Sequence, residues 1–364
     1  MGVDFIAFLK FPTLRSYSLS GPENARAVQR GLVNAQWYQT PVDRKLLREL
    51  MRRDDGPALR DTAIWLGLLL ACGVGGVLTW GTWWAVPLFM VYGVLFGSTA
   101  DSRWHECSHG TAFKTVWMND AVYQVASLMM MRNPVVWRWS HARHHSDTII
   151  VGRDPEISSM RPPQLIVLCL NLVGLVAVPV SLAALVRNAL GRLSSDEADY
   201  VPADEGGHAL RAARVHMAVY AAIIATSVAT GSILPAMLVG LPRAYGVWLL
   251  LVMGLPQHMG LADDVLDHRL NSRTVLINRV LRFSYWNMNY HVEHHMYPLV
   301  PYHALPRLHA LVQHDCPPPE PSLWYAWRRI IPAVLRQLKD PAHFLRKELP
   351  PGAGRMAQPA VLPK

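Results

Sequence analysis

Cysteine is scarce in this sequence. Four cysteines occur in 364 residues, at 72, 107, 169 and 316, and none forms a CxxC pair. The pattern therefore gives no sign of disulfides, a zinc ribbon or a fused iron–sulfur domain. There is no HPGG haem-binding segment either. The first twenty residues, MGVDFIAFLKFPTLRSYSLS, lack a sustained apolar region and a small-residue cleavage site, which argues against a secretory signal. Ile6 breaks the myristoylation pattern that an MG start would need. No internal repeat is visible beyond histidine clusters that share a spacing. Charge is also thin, with DEKR making up 17% of residues, and several long stretches carry none.

Those stretches set the class. TAIWLGLLLACGVGGVLTW (62–80), WWAVPLFMVYGVLFGSTA (83–100), LIVLCLNLVGLVAVPVSLAALV (165–186) and the run from Met217 to Leu255 are dominantly apolar. A bilayer core takes about 20 such residues, whereas core helices of soluble proteins are shorter and amphipathic. The reading is an all-α integral membrane protein. RKLLRELMRR (44–53) stands just before the first run, which keeps the N-terminus in the cytoplasm. The formal net charge of +9 reflects topology and contact with anionic lipid, and offers a surface that could steer an acidic partner.

Residues 1–60 read as a cytoplasmic lead-in with short amphipathic helices. The first two apolar runs form a hairpin with a tight turn at Gly81–Thr82. Residues 101–160 are polar and rich in Trp and His, and the apolar part at 121–136, broken by Arg132 and Pro134, reads as interfacial. If the histidines at 141–145 and 291–295 serve one site, an even number of crossings separates them. Three apolar candidates lie between, so one does not span. Arg187, Arg192, Arg211 and Arg214 favour the cytoplasm for 187–214, so 165–186, which contains Pro179, is expected to be re-entrant or interfacial. About 217–239 and 244–258 make a second hairpin. The expectation is four transmembrane helices in two hairpins plus a cytoplasmic helical cap. It divides the chain into a lead-in (1–60), a membrane domain (61–315) and a cytoplasmic C-terminal segment (316–364). The Pro/Gly-rich tail at 346–364 is expected to be disordered.

The chain holds 16 histidines, and eight of them fall in three tight groups. HECSH holds His105 and His109. HARHH holds His141, His144 and His145. HVEHH repeats that spacing with His291, His294 and His295. Residues at i, i+3 and i+4 share a helix face, so each group can aim its rings at one point. Burying eight unpaired imidazoles would be costly, and exposing them would leave the spacing without a reason. Metal binding resolves both. Imidazole suits Zn, Cu, Fe or Ni. Eight ligands overfill one tetrahedral zinc and suit two ions with open positions, and two irons best fit an oxygen-handling site.

HECSH also matches H-E-x-x-H, the zinc-peptidase pattern with Glu106 as base, but such a site needs one more ligand rather than six. A metal transporter or sensor would place ionisable ligands within spans, whereas here they flank them.

The three boxes, their order and their placement around two apolar hairpins resemble the membrane fatty acid desaturase superfamily. HARHHSDTIIVGRDPE is similar to its second box and the acidic segment after it. NYHVEHHMYPLVPYHALPRLH is similar to its third box with the Pro-rich continuation. The resemblance covers roughly 60–315. It implies that His258, in GLPQHMGLADD, is a ninth ligand. It also implies a di-iron centre, O2 as co-substrate and removal of hydrogen from an unactivated C–H bond to give an alkene, with a hydroxylase on the same scaffold as the alternative. Each turnover then takes two electrons from a ferredoxin or cytochrome b5-like partner. The expected location is a bacterial inner membrane, with the site and both termini cytoplasmic. WYQTPVDRKLLRELMRRDDGPALRDT (37–62) resembles a bacterial branch that includes dihydrorhizobitoxine desaturase, which widens the substrate choice from acyl chains to acyl-like or amino-acid-derived molecules.

Metal-bound histidines usually pass their other N–H to a carboxylate or carbonyl. The candidates for that role are Asp101, Glu106, Asp147, Asp154, Glu156, Asp263, Asn289 and Glu293. Trp137 and Trp139 are candidates to line a substrate passage, or else interfacial anchors. Cys107 turns away from His105 and His109 on a helix and reads as structural.

Overall fold

The computed structural model describes residues 15–355. The start of the lead-in and the end of the tail, 356–364, lie outside the described residues. Regular structure among the described residues is helical, and extended pairing there is limited to the bridges Thr274↔Tyr290 and Val275↔Glu320.

The lead-in carries the short helices α1 (Pro22–Gln29) and α2 (Arg44–Leu50). The first apolar run lies in α3 (Asp55–Leu78), which begins ahead of it because the Asp54 carboxylate caps the helix at Gly56 N. Its 24 residues reach about 36 Å at ~1.5 Å each, enough for a bilayer core. The chain then turns through Gly81, at φ +87, a conformation suited to glycine. Trp83 and Trp84 at this turn are 90% and 74% exposed, as expected of side chains at lipid headgroup level.

The return helix α4 (Ala85–Gly97) runs through Ser98 into α5 (Thr99–Ser108), giving one apolar rod over Ala85–Ser108. The second apolar run and the HECSH box are thus one piece of helix. Trp65 Nε1 donates to Leu95 O at 2.9 Å and ties the hairpin together. Helices α6 (Val116–Met129) and α7 (Pro134–Ser146) follow, broken where Arg132 and Pro134 predicted. Asn133 caps α7 by accepting from Val135 N and Val136 N, with Pro134 at a first-turn position that suits it.

Residues 165–186 do not form one helix. They divide into α8 (Leu165–Asn171) and α9 (Ala177–Ala189) around Gly174, and neither piece is long enough to cross alone. After α10 (Ser195–Tyr200) comes α11 (Gly206–Thr230). This helix starts well before the expected 217, because GGHALRAARVH is rich in helix formers. It stops short of 239 at the left-handed Gly231.

The expected helix at 244–258 is also corrected. The chain there runs as α12 (Leu234–Leu238), α13 (Pro242–Tyr245), α14 (Trp248–Gly254) and a 3-10 turn over Leu255–Gln257. Pro235, Pro242 and Pro256 interrupt it. Gly246 also presses its backbone against α4, where a Cβ would meet Gly93 O at 1.8 Å. Ser98 Oγ stitches the crossing by bonding Gly246 O at 2.5 Å and accepting from Leu250 N at 2.8 Å. Among the described residues, three helices are long and apolar enough to cross a membrane: the one ending at Leu78, the Ala85–Ser108 rod and the one ending at Thr230.

The chain ends with α15 (His268–Asn271), α16 (Arg279–Tyr285), α17 (His291–Met296), α18 (Leu305–Val312) and α19 (Leu323–Gln337). A buried cluster joins Trp104, Cys107, Trp286, Tyr302, Leu305 and Leu308 to the membrane hairpin, so Cys107 is a packing residue. The segment after 346 was expected to be disordered. It lacks regular structure but is held as far as Gly354, where Arg269 Nη2 donates to Gly354 O at 2.7 Å and Gly354 N donates to Asp315 Oδ1 at 2.7 Å.

Candidate metal centre

Four pieces of chain deliver histidines to one place. The last turn of α5 brings His105, and His109 caps it. Helix α7 brings His141, His144 and His145, α17 brings His291, His294 and His295, and His258 follows the 3-10 turn after α14. The nine rings form two groups, in each of which the nitrogens lie within 4.8 Å of one another. One is His105, His109, His141, His145 and His294, and the other is His144, His258, His291 and His295.

The repeated HxxHH spacing is used in opposite senses. In α7 the i and i+4 rings join the five-histidine group and the middle ring crosses to the other. In α17 the i and i+4 rings join the four-histidine group and His294 crosses back. All three boxes therefore stand at one face of the membrane helices.

The Nε2 atoms face each other closely. His258–His291 is 2.8 Å, His105–His294 and His291–His295 are 3.0 Å, His109–His141 is 3.1 Å, and His145 lies 3.2 Å from both His141 and His294. Nitrogens about 2.1 Å from a shared ion would stand about 3 Å apart.

Proton accounting supports the same conclusion. His258 Nδ1 lies 2.8 Å from Asn271 O, which can only accept, so its Nε2 carries a lone pair. His144 Nδ1 meets Asp154 Oδ2 at 2.9 Å and His141 Nδ1 meets Glu156 Oε2 at 3.1 Å, which in the neutral, metal-binding rings leaves the lone pair on Nε2 in the same way. Thr148 Oγ1 gives its proton to His144 O at 2.7 Å, so it accepts from His295 Nδ1 at 3.3 Å. Four lone pairs thus point into the cage. A cation suits that donor set, and the residues fit a metal site.

Burial, followed by the neighbouring imidazoles, pushes His109, His145, His258, His291, His294 and His295 well below the usual histidine range. They stay neutral, the form that ligates. His144 is the exception. Burial lowers it, but the charge and hydrogen bond of Asp154 outweigh that and raise it.

Of the eight acid and amide candidates, Asp154 and Glu156 reach histidine rings of the cage. Glu106 bonds Thr111 Oγ1 at 2.7 Å and Tyr302 N at 3.0 Å. Asp101 pairs with Arg132, Asp147 with Arg143 and Arg153, and Asp263 with Arg15. Glu293 holds His309, and Asn289 bonds Val275 O. The peptidase reading thereby loses its base. Sequence reasoning missed Thr148 and the Asn271 carbonyl, and it missed His268, which stacks between His295 and Trp37 at centroid distances of 5.0 and 4.3 Å. A backbone carbonyl leaves no sequence signal, whereas DHR at 267–269 offered a histidine to examine.

A cavity of about 250 Å³ opens beside the cage and reaches His105, His141, His144, His258 and His291. Trp104 lines it, rather than Trp137 or Trp139. Trp137 packs edge-on against Trp104 at 5.8 Å.

A comparison with curated proteins finds no match. The fatty acid desaturase family matches residues 78–327, well over half of the chain and all nine gathered histidines, and the membrane-crossing helices, the histidine boxes and this match agree: the chain belongs to the fatty acid desaturase family and is a membrane oxidoreductase.

Proposed function

We propose that this protein is an O2-dependent di-iron desaturase that introduces a C=C bond into an acyl chain or an acyl-like or amino-acid-derived substrate. The carrying observation is the division of nine imidazoles into two groups at ligand spacing. His105, His109, His141, His145 and His294 would hold one iron, and His144, His258, His291 and His295 the other. Bound there, the irons supply the O2 activation needed to take hydrogen from an unactivated C–H bond.

The chain's own part is to orient and enclose. Glu156 and Asp154 fix the rings of His141 and His144, Asn271 and Thr148 fix His258 and His295, and the cavity holds the reacting carbon against the cage. The broken run from Leu234 to Gln257 serves as the fourth crossing, tolerated at membrane depth because it packs against α4. A ferredoxin or cytochrome b5-like partner supplies electrons on the cytoplasmic face of a bacterial inner membrane, where both termini lie.

Elemental analysis with product analysis tests this. About two irons per chain and an alkene product are expected, with iron and activity both lost in His141→Ala and His294→Ala. One zinc and no iron would overturn it, and an alcohol product would assign the scaffold to hydroxylation.

A further inference from the structure

The cavity beside the cage is lined by three guanidiniums, Arg132, Arg161 and Arg243, and three carboxylates, Asp101, Glu156 and Asp263, and one of the guanidiniums is buried without a carboxylate partner. At its inner end Arg132 Nη1 meets Asp101 Oδ1 at 2.6 Å, and the Arg132 guanidinium lies over Trp104 and Trp137 at 4.1 and 4.4 Å. That pair is neutral. Arg243 lines the same cavity and is only 7% exposed. Its Nε donates to Met130 O at 3.3 Å, its Nη1 has no hydrogen-bond partner, and among the described residues no carboxylate pairs with it.

The other cavity-lining guanidinium, Arg161, is paired: it stands 3.6 Å from Asp263, and behind the cavity wall Arg15 meets Asp263 at 2.8 Å and Asp264 at 2.6 Å. A guanidinium stays charged at any working pH, and burying it unpaired is costly. Its planar fork suits a carboxylate.

We propose that Arg243, with Arg132 beside it, is the binding site for the carboxylate of a small acid substrate. This rests on the desaturase reading of the histidine cage and narrows its substrate class. Asp101 and His105 both line the cavity and stand four residues apart on one helix face, about 6 Å along it. The Asp101–Arg132 end of the cavity therefore lies about one helical turn from the cage, and a carboxylate bound there would place the reacting carbon a few bonds from it. The cavity, at about 250 Å³, is below the usual ligand-pocket range of about 300–1,000 Å³, in keeping with a small molecule.

The test is calorimetric titration of the full-length, iron-loaded protein in neutral-lipid nanodiscs with octanoate and with octanamide. Octanoate is expected to bind at least about tenfold tighter. Arg243→Gln should bring the two within about twofold at unchanged iron content, and Arg243→Lys should keep most of the preference. Three results would overturn the proposal. These are equal binding of acid and amide, octanoate binding that Arg243→Gln leaves intact (a carboxylate held by metal instead), or displacement of octanoate by phosphatidylglycerol in the nanodisc, which would assign the cation to a lipid headgroup. Should Arg243→Gln fail to fold, the wild-type acid-over-amide preference and the lipid competition carry the test. Protein that loads no iron yet prefers octanoate refutes the di-iron reading alone. Iron-loaded protein indifferent to the carboxylate refutes this proposal alone.

Discussion

His144 and Asp154 form a fully enclosed pair, Nδ1 to Oδ2 at 2.9 Å. The same carboxylate accepts from Ile149 N and Glu156 N, each at 2.8 Å, and so holds Ile149 at φ +55, a strained setting for a β-branched residue. Asp154→Asn removes the charge and turns one acceptor into a donor. Iron affinity should fall about 10–100-fold, with iron per chain dropping toward one as the four-histidine group empties. Chelator competition measures this, and unchanged retention would deny Asp154 its orienting part.

Glu106→Gln separates the two readings of HECSH. Both bonds to Glu106, from Thr111 Oγ1 and Tyr302 N, land on one oxygen, which an amide oxygen can replace. Iron content should be unchanged and turnover within a few-fold of wild type. A metallopeptidase would lose its general base, and with it about 10²–10⁴ in rate.

Asn133 caps α7 and also donates to Asn188 Oδ1 at 3.1 Å and Ala209 O at 2.9 Å. Asn133→Ala should cost about 1 kcal/mol for the cap and a further ~1–3 kcal/mol for the stranded buried partners. Denaturation in detergent reads the sum. A loss of a few tenths would mean that α7 does not need this cap.

Gly246→Ala puts a methyl 1.8 Å from the Gly93 carbonyl oxygen, where backbone has to move. A loss of at least ~1–3 kcal/mol is expected from such overpacking. Gly207→Ala, with nothing nearer than the Arg211 guanidinium at 3.8 Å, should instead stabilise its helix by up to ~1 kcal/mol. Thermal melts of the two variants should therefore move in opposite directions.

His268 is held near pKa 3 by burial and then by the nearby His144. Its folded value lies below its unfolded value, so the unfolded chain binds the extra proton between about pH 6.5 and 3. Its contribution is complete above 6.5 and is lost as pH falls. The lowered cage histidines act in the same direction, and protonation also competes with metal. Denaturation midpoints and iron retention should both drop from pH 7.5 to 5, and a flat profile would contradict the burial of neutral rings.

Eight of the nine gathered histidines were legible in the sequence, because helix-spaced repeats of a titratable residue report a shared face directly; His258 stands alone in GLPQHMGLADD and was reached only through the family resemblance. The hairpin through Trp83 and Trp84 and the break at Pro134 were legible for the same kind of local reason. The extent of α11 was not. Hydropathy marks where a helix is greasy rather than where it starts, and the polar stretch from Gly206 continues the same helix. The fragmentation of 234–257 escaped because Gly246 answers to Gly93, some 150 positions away. The orienting groups were half legible. Asp154 and Glu156 follow their box closely, while the Asn271 carbonyl has no side-chain signature.

The unbroken Ala85–Ser108 rod couples chemistry to depth. His105 is rigidly attached to a membrane-crossing shaft, whereas His141 and His294 stand on the separate short helices α7 and α17. A change in bilayer thickness that tilted this shaft would reach the His105 wall of the cage before the walls built by His141 and His294, so hydrocarbon thickness is expected to act on the centre through this one helix.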